Sequence, residues 1–483
     1  MHSRARVQAE LVGPRAFHVV VAGRGFVIPT RHAGRERKQG CRCYDVPHGS
    51  TLSASPDIVK AATDRSALAV GGRTVTSCPQ TAQVMTTLEE EAARVRTVRV
   101  LSLAPAAKWW PVALALLLCV VASWRVIASQ WDFEVYYYAA RALRAGLDPY
   151  STQSLTKVAG KPMPLPFVYP PLFLTLFAPF AGLALTTAKA VYLAAKLASL
   201  AGLLLIWGCF CRNSRETLIL LVVVLLGFSA TIFSDLYAGN VTCFEQLLLW
   251  LGIAALVTGR RMLFAVLIPV AAAPKLLPMV LVLLLLFEGR RAIRPLLVSV
   301  GAFLAIQGIS LAVSPARTAR FFSMASALDE RGHAAPSSLA LLRDIVGSAF
   351  RPWVPLVLYL VMAASILGVF GLCLLRLCKS ETWEKAPWFL LSGALLSYLL
   401  VIPRLKSYGF VLVVPVAVWL LARAKRGTLL MGTLLLCLST TSPLPKALVP
   451  RSQFWPIIWE YNALLCVFAL WLLWCSEARE ERY

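Results

Sequence analysis

The sequence is poor in charge and in histidine, and it is rich in long apolar runs. Only 15% of its 483 residues are charged, 58% are hydrophobic, and His occurs 5 times. Soluble domains average roughly 45–50% apolar and about 25% charged residues. A run of about 20 apolar residues is long enough to cross the hydrocarbon core of a bilayer. The composition therefore excludes an ordinary soluble protein and predicts an all-α polytopic membrane protein.

Acidic residues are scarce beside basic ones. The chain has 24 Asp and Glu against 48 Lys and Arg, which gives a formal net charge of +24. Basic residues gather just after apolar runs, as at 212–215, 260–261 and 290–294, and this pattern is typical of cytoplasmic loops. No basic face is interleaved with aromatic residues in a soluble segment, so nucleic acid is excluded as a partner.

Motifs for metals and nucleotides are also missing. The pair Cys41 and Cys43 has no second pair and no histidine spacing that would complete a zinc site. We assign no metal ligand and no certain cofactor, while a few scattered carboxylates leave a divalent metal open. No soluble domain of Rossmann type is recognised, so a nucleotide-sugar site is not expected.

Residues 1–100 differ from the rest of the chain. They are rich in Arg, have no sustained helical or strand period, and contain no apolar stretch of the signal-peptide type. One interpretation is a basic, disordered N-terminal extension. Another is that residues 1–84 are not translated, because Met85 opens a segment with Thr as helix cap followed by three Glu. In both cases we expect the membrane domain to occupy residues 101–483.

The rest of the chain carries the apolar runs, which predict about twelve transmembrane helices. They cover 109–129, 187–209, 216–236, 242–258, 262–273, 276–288, 295–313, 353–377, 386–402, 409–422, 427–440 and 454–475. A further apolar segment, 169–185, either crosses the membrane or re-enters it. If the basic loops are cytoplasmic, the segments 130–168, 314–352 and 403–408 face the outside of the plasma membrane.

The segment after the first run combines acidic and aromatic residues where the membrane meets water. Its sequence, WDFEVYYYAARALRAGLDPYS at 131–151, predicts a helical loop on the outer face. A carboxylate at this depth is costly unless it is used, so we predict that Asp132 is a general base; the alternative is that it only caps the helix. The candidate substrate contacts are Glu134, Tyr136, Tyr137, Asp148, Tyr169 and Asn240.

A second group of candidates is basic. The runs 262–273 and 276–288 are each too short to cross comfortably alone. Pro274 and Lys275 lie between them, and Pro278 is close to the start of the second run. We expect a broken hairpin that lines a cavity. Lys275, with Arg404 and Lys406, is predicted to bind the phosphate of a lipid-linked sugar, while a hydrophobic groove holds the polyprenyl tail.

From about residue 109 onward the chain resembles glycosyltransferase family 87. The matching stretches are DFEVYYYAARALRAGLDPYS, FVYPPLFLTLFAPFAGL, YAGNVTCFEQLLLWLGIAAL followed by GRR, and the Pro-Lys hairpin followed by FEGRR. The family commonly reads Gly-Gln-Val-Asn where this chain reads GNVT at 239–242. The resemblance implies the type C glycosyltransferase fold, and Asp132 stands at the position of the family's base. It also implies transfer of a hexose, usually mannose, from polyprenyl phosphate to a glycan or glycolipid outside the membrane.

Two other classes stay open on sequence grounds. Broken helices and an intramembrane Lys are also features of transporters, so a transporter or flippase for a lipid-linked or anionic substrate is the alternative. A glycan ligase with a lipid-diphosphate donor shares the lipid chemistry. Such a ligase is expected to use a large outer loop rich in Arg and His, and loop 314–352 has one His.

Overall fold

The computed structural model describes residues 109–124, 127–327, 331–332, 335–347, 350–351, 353–379, 387–425, 432 and 454–480. These residues form helices and connections, with no strand among them, which confirms the all-α class. Residues 1–100 lie outside the described part, as does the expected span 427–440 apart from residue 432.

Fifteen α-helices are numbered here in chain order. They are α1 Trp110–Trp124, α2 Trp131–Arg144, α3 Thr152–Ala159, α4 Pro171–Thr175, α5 Leu185–Phe210, α6 Ser214–Ala238, α7 Thr242–Val257, α8 Arg261–Ala272, α9 Ile293–Val313, α10 Pro315–Ala327, α11 Ser338–Val346, α12 Val354–Lys379, α13 Pro387–Val401, α14 Val414–Arg423 and α15 Phe454–Glu480. Three 3₁₀ segments, Phe180–Gly182, Leu277–Ala292 and Ser407–Val413, complete the described elements.

Four of these helices contain a stretch long and apolar enough to cross a bilayer. The stretches are Leu185–Phe210, Ile293–Val313, Val354–Arg376 and Glu460–Ala478, and the bent pair Ser214–Phe228 and Ala230–Ala238 adds a fifth if it is one span. Six further apolar helices are shorter than 18 residues. The helical membrane class is therefore confirmed, whereas the count of about twelve spans is not reached within the described residues.

The helices α9 and α12 expose a largely apolar surface. Only 11% of the most apolar window of each helix is buried inside the protein. Large apolar side chains on them stand exposed, including Leu297, Leu304 and Leu372. Such a surface would be an aggregation hazard in water, whereas the bilayer core is the solvent in which it is stable.

The segment 169–185 does not form one continuous helix. It contains α4 and the 3₁₀ turn Phe180–Gly182, separated by a turn after Leu176. Five residues of helix rise only about 7.5 Å, far less than a bilayer core. Phe177 and Ala181 of this segment are buried in an aromatic cluster with the tyrosines of α2. The segment therefore packs α2 in place rather than spanning the membrane.

The chain breaks between α8 and the 3₁₀ segment Leu277–Ala292, where sequence indicated a broken hairpin. The twelve residues of α8 span about 18 Å, which is too short for a crossing. Leu276 holds a φ of +59°, a conformation that a non-glycine residue adopts at a cost of about 1–3 kcal/mol. The two segments nevertheless pack against each other. The break places Lys275 and the residues on both sides of it in the wall of a cavity.

Candidate active site

A cavity of about 360 Å³ lies where α2, the start of α7, the break after α8 and the loop before the segment Ser407–Val413 meet. Its polar lining consists of Asp132, Tyr136, Tyr169, Asn240, Glu245, Gln246, Lys275, Tyr398, Arg404, Lys406 and Tyr408. Apolar side chains form the rest of the wall, among them Leu165, Leu249, Leu277, Ile402 and Leu412. The cavity thus combines a charged end with apolar walls, which is the chemistry of a site for an amphipathic ligand.

Asp132 is the second residue of α2, and its carboxylate faces the cavity. Its Oδ2 accepts hydrogen bonds from Asn240 Nδ2 at 2.7 Å and from the Tyr408 hydroxyl at 3.3 Å. The N-cap of α2 is Gln130, so the alternative that Asp132 only caps the helix is wrong. The first turn of a helix still favours a negative charge there.

The protonation of Asp132 is set by opposing effects. Burial raises the pKa of the Asp132 carboxyl above its ordinary value. The hydrogen bond from Asn240, the charge of Lys406, the Tyr408 hydroxyl and the charge of Lys196 each pull that pKa down without restoring it. A carboxylate whose pKa is raised is a stronger proton acceptor once it is ionised, which suits a general base.

Asn240 is the hub of the polar end of the cavity. Its Nδ2 lies 3.0 Å from the Tyr136 hydroxyl, 3.1 Å from that of Tyr169 and 2.9 Å from that of Tyr408. Its Oδ1 accepts a hydrogen bond from Thr242 at 2.9 Å, and the residue is 1% exposed. An amide has two N–H hydrogens, so these are shared among four acceptors that include Asp132. Its main role in this structure is to hold the side chains around it.

Gly239 explains how the turn before Asn240 fits. It ends α6 with a φ of +68°, the left-handed conformation that glycine adopts at least cost. A Cβ at this position would lie 2.9 Å from the Cβ of Gln130 and 3.0 Å from that of Phe133. The glycine therefore lets the start of α2 approach the end of α6, and this contact brings Asp132 within reach of Asn240.

Three cations predicted to bind phosphate all line the cavity. Lys275 Nζ donates to Thr242 Oγ1 at 2.7 Å, pairs with Glu245 at 2.7 Å, and lies 5.3 Å from the Tyr408 ring centroid. Arg404 donates to the carbonyl of Ala325 in α10 at 3.1 Å. Lys406 is the residue immediately before the segment Ser407–Val413. Through Thr242, Lys275 is linked to Asn240 and so to Asp132.

Three predicted substrate contacts do not line the cavity. Glu134 is held by Lys161 and Lys189, each at 2.6 Å; burial pushes its pKa up, but the two ammonium groups bring the pKa below its ordinary value. The Tyr137 hydroxyl donates to the carbonyl of Leu183 at 2.8 Å. Asp148 forms an ion pair with Arg320 and accepts a hydrogen bond from the Tyr150 amide at 3.1 Å. In this structure these side chains tie α2 and its following turn to their neighbours.

The sequence did not single out four polar residues near the site. Gln246 and Tyr398 line the cavity, while Lys189 and Lys196 are buried on α5. The only signal for the lysines is their presence, seven residues apart, inside an apolar run. An ionisable side chain inside a membrane helix is expensive and therefore marks a buried partner. Within the described parts of the chain, no group of three or more His, Cys, Asp or Glu could hold a metal ion.

Together, the apolar helices and the cavity define a helical membrane protein with a charged, substrate-sized site. Residues 167–403 match the model of glycosyltransferase family 87. Over this range the chain belongs to that family, which confirms the family assignment, and the protein is a membrane glycosyltransferase with a donor and an acceptor substrate; the stretch 132–151, which contains Asp132, lies before the matched range. No curated protein and no solved structure matches the chain. Tyr169, Asn240, Glu245 and Lys275 lie inside the matched range.

Proposed function

We propose that the protein transfers a hexose, mannose by preference, from a polyprenyl-phosphate donor to a glycan or glycolipid acceptor. The single observation that carries the proposal is the cavity in which the Asp132 carboxylate shares a wall with Lys275, Arg404 and Lys406. A carboxylate can accept the proton of an attacking hydroxyl, and cations can stabilise a departing phosphate. Both groups are needed for glycosyl transfer from a sugar phosphate, and here one cavity holds both.

The reaction proceeds as one displacement at the anomeric carbon. The acceptor hydroxyl attacks this carbon while its proton passes to a carboxylate oxygen of Asp132. The bond from the anomeric carbon to the phosphate oxygen breaks, and polyprenyl phosphate leaves with the bonding electrons. Lys275, Arg404 and Lys406 bind the leaving phosphate as its negative charge grows. Because attack and departure occur on opposite faces, the configuration at the anomeric carbon inverts.

The apolar wall supports a lipid-linked donor. Leu249 of α7, Leu277 and Leu412 of two 3₁₀ segments, and Ile402 just after α13 line the same cavity as the cations. A polyprenyl chain can lie against such a wall, because burial of its apolar surface is not opposed by unpaired polar groups. Polar side chains stand at the Asp132 end, where Tyr136 and Tyr169 can contact sugar hydroxyls. Glu134, Tyr137 and Asp148 then act through α2 rather than by substrate contact.

The proposal includes a topology. Residues 101–483 form the membrane domain, with the type C glycosyltransferase fold and about twelve crossings, and residues 1–100 form a basic extension. The basic loops at 212–215, 260–261 and 290–294 support a cytoplasmic position for that side of the protein. The catalytic cavity then faces the outside of the plasma membrane, away from cytoplasmic nucleotide sugars.

The test is transfer of labelled mannose from polyprenyl-phosphate mannose in membranes that contain equal amounts of each variant. Asp132→Asn should abolish transfer, because an amide cannot accept the proton. Asp344→Asn is the matched control, since Asp344 accepts a hydrogen bond from Tyr461 at 2.5 Å and does not line the cavity. Full transfer by Asp132→Asn would remove Asp132 as the base. Movement of the donor across the membrane without its consumption would favour the transporter alternative.

A further inference from the structure

Lys196 is a fully buried lysine behind the active site. It lies in α5, an apolar helix of 26 residues, and its side chain is 0% exposed. Its Nζ lies 2.9 Å from Asp235 Oδ2, and it donates to the carbonyls of Asp235 and Asn240 at 2.7 Å and 2.6 Å. An ammonium group has three hydrogens, so these three oxygens use its whole donor capacity. Lys196 does not line the cavity, so it cannot act by touching substrate.

The oxygens that Lys196 binds belong to the end of α6 and the turn after it. The Asp235 carbonyl also accepts the amides of Gly239 and Asn240, at 3.0 Å and 3.4 Å. Carbonyls near a helix C-terminus carry partial negative charge, so a cation beside them is favourable. Lys196 therefore fixes the backbone of Asn240 from one side, while the Asn240 side chain reaches Asp132 on the other side.

A buried ion pair of this kind is a poor device for stability alone. The desolvation of two ions is often not repaid, and apolar replacements of such pairs are often neutral or stabilising. Lys196 contacts the backbone of Asn240, and the side chain of Asn240 orients Asp132. The ion pair can therefore serve the active site as well as the stability of the fold.

We propose that Lys196 is a positioning residue that acts through the Asn240 turn to hold the Asp132 carboxylate in its catalytic orientation. This inference rests on the proposed function, in which Asp132 is the general base. It adds a residue 64 positions away from Asp132 that makes no contact with the cavity.

The charge of Lys196 acts in the same direction as its hydrogen bonds. Burial raises the pKa of Asp132, and Lys196 is one of the groups that lower it. The other titratable or polar groups that face Asp132 are Asn240, Lys406, Tyr408, Tyr136, Tyr169 and Tyr192. Removal of Lys196 leaves burial less opposed, so the pKa of Asp132 rises further. A base with a higher pKa is ionised only at higher pH, and the acid limb of the rate profile moves with it.

The same helix offers a matched control. Lys189 lies seven residues earlier on α5, is 5% exposed, and pairs with Glu134 at 2.6 Å. Its Nζ donates to the carbonyl of Ala128 at 2.7 Å. It is thus a second buried lysine with a carboxylate and a backbone carbonyl as partners. Unlike Lys196, it holds the start of α2 and does not contact the Asn240 turn.

The experiment measures kcat and KM for polyprenyl-phosphate mannose against pH, per amount of folded protein, in wild type, Lys196→Met and Lys189→Met. We expect Lys196→Met to lower kcat, leave KM for the donor nearly unchanged and move the acid limb to higher pH. Each unit of that movement lowers kcat/KM on the acid side about tenfold. Lys189→Met should leave the acid limb in place. A lower kcat in Lys196→Met with an unmoved acid limb would overturn the proposal, because a merely structural lysine predicts that result.

Lys196→Met leaves Asp235 buried without its cation, which can prevent folding. The double variant Lys196→Met with Asp235→Asn removes both charges and should restore the amount of protein. It should still show the shifted limb, because the Asn240 turn remains unclamped; a wild-type profile in the double variant would overturn the proposal. Asp132→Asn, measured in parallel, distinguishes a failure of the proposed base from a failure of the proposed positioning residue. If that variant retains transfer, the base assignment fails and this inference fails with it, whereas an inactive Asp132→Asn beside an unmoved limb refutes the role of Lys196 alone.

Discussion

Removal of the Asn240 amide is the most direct perturbation of the site. Asn240→Ala takes away the donor that lies 2.7 Å from Asp132 Oδ2 and leaves the tyrosine hydroxyls in place. The Tyr136 and Tyr169 hydroxyls still bond each other at 2.8 Å, and that of Tyr408 still donates to Asp132. The cluster therefore keeps its architecture, while the carboxylate loses its closest partner.

The size of the effect follows from the strength of that bond. A hydrogen bond to a charged group contributes about 1.5–3 kcal/mol, and about 1.4 kcal/mol corresponds to a factor of ten in rate. If Asn240 orients the ionised base in the transition state, Asn240→Ala should lower kcat/KM by about tenfold to about 150-fold. The acid limb should also move to higher pH, since this bond lowers the pKa of Asp132. The decrease should appear mainly in kcat.

The assay is mannosyl transfer from polyprenyl-phosphate mannose, measured in Asn240→Ala, in Asp132→Asn and in the double variant. Residues that act as a unit are not additive, so the double variant should be no slower than Asp132→Asn alone. Asn213→Ala is the control at the other end of α6. There the side chain of Asn213 caps the helix through the amide of Glu216 at 2.9 Å, far along the helix from the cavity. Its loss should cost about 1 kcal/mol of stability without a change in kcat.

Two results would refute the reasoning. If Asn240→Ala keeps wild-type kcat/KM and the wild-type acid limb in folded protein, Asn240 does not orient the base. If its effect adds fully to that of Asp132→Asn, Asn240 acts on substrate by itself, as the sequence alone suggested, and not through Asp132.

Three further expectations follow from the same geometry. In wild type, kcat/KM should rise with pH through a limb above the ordinary aspartate range and then level off, because the base must be ionised and burial raises the pKa of Asp132; a limb at the ordinary value in a pH series would contradict this. Lys275→Met should weaken donor binding and leave Glu245 unpaired, while Lys275→Met with Glu245→Gln should recover protein level but not donor affinity in a binding assay. Gly239→Ala should lower stability by about 1–3 kcal/mol, measured as a lower unfolding temperature in detergent, because of its φ of +68° and the contact with Gln130; an unchanged temperature would contradict the close approach.

The sequence predicted the chemical groups of the site better than their partners. Asp132, Lys275, Arg404 and Lys406 were chosen because charged side chains near apolar runs need a use, and the structure places all four on one cavity. That reasoning uses only the neighbouring sequence, so it selects any charged residue close to an apolar run. It also selected Asp148, whose partner is Arg320 at a distance of 172 residues along the chain. Only the tertiary fold separates a carboxylate that faces the cavity from one that ties a loop.

The number of spans shows a related limit. Hydropathy finds apolar runs, but it does not show where the backbone turns inside them. The expected run 109–129 becomes a helix that ends at Trp124, and 409–422 becomes the 3₁₀ segment Ser407–Val413 followed by α14. Breaks of this kind are tolerated in membrane proteins where the backbone is buried or lines a cavity. The breaks near Lys275 and Ser407 both border the cavity, so two of the places where the backbone departs from a regular span help to form the site.

Asn240 connects the turn at the end of α6 to the Asp132 carboxylate. Its side chain has a single methylene, so its amide can reach only groups close to its own backbone. Its Nδ2 nevertheless lies 2.7 Å from Asp132 Oδ2, so the end of α6 and the start of α2 lie close together. Gly239 permits that approach, because a side chain there would meet Gln130 at the start of α2. Lys196 then fixes the turn from behind, through the Asn240 carbonyl. Asn240, Gly239 and Lys196 therefore depend on one another, and any change at Asn240 should be judged with the other two in place.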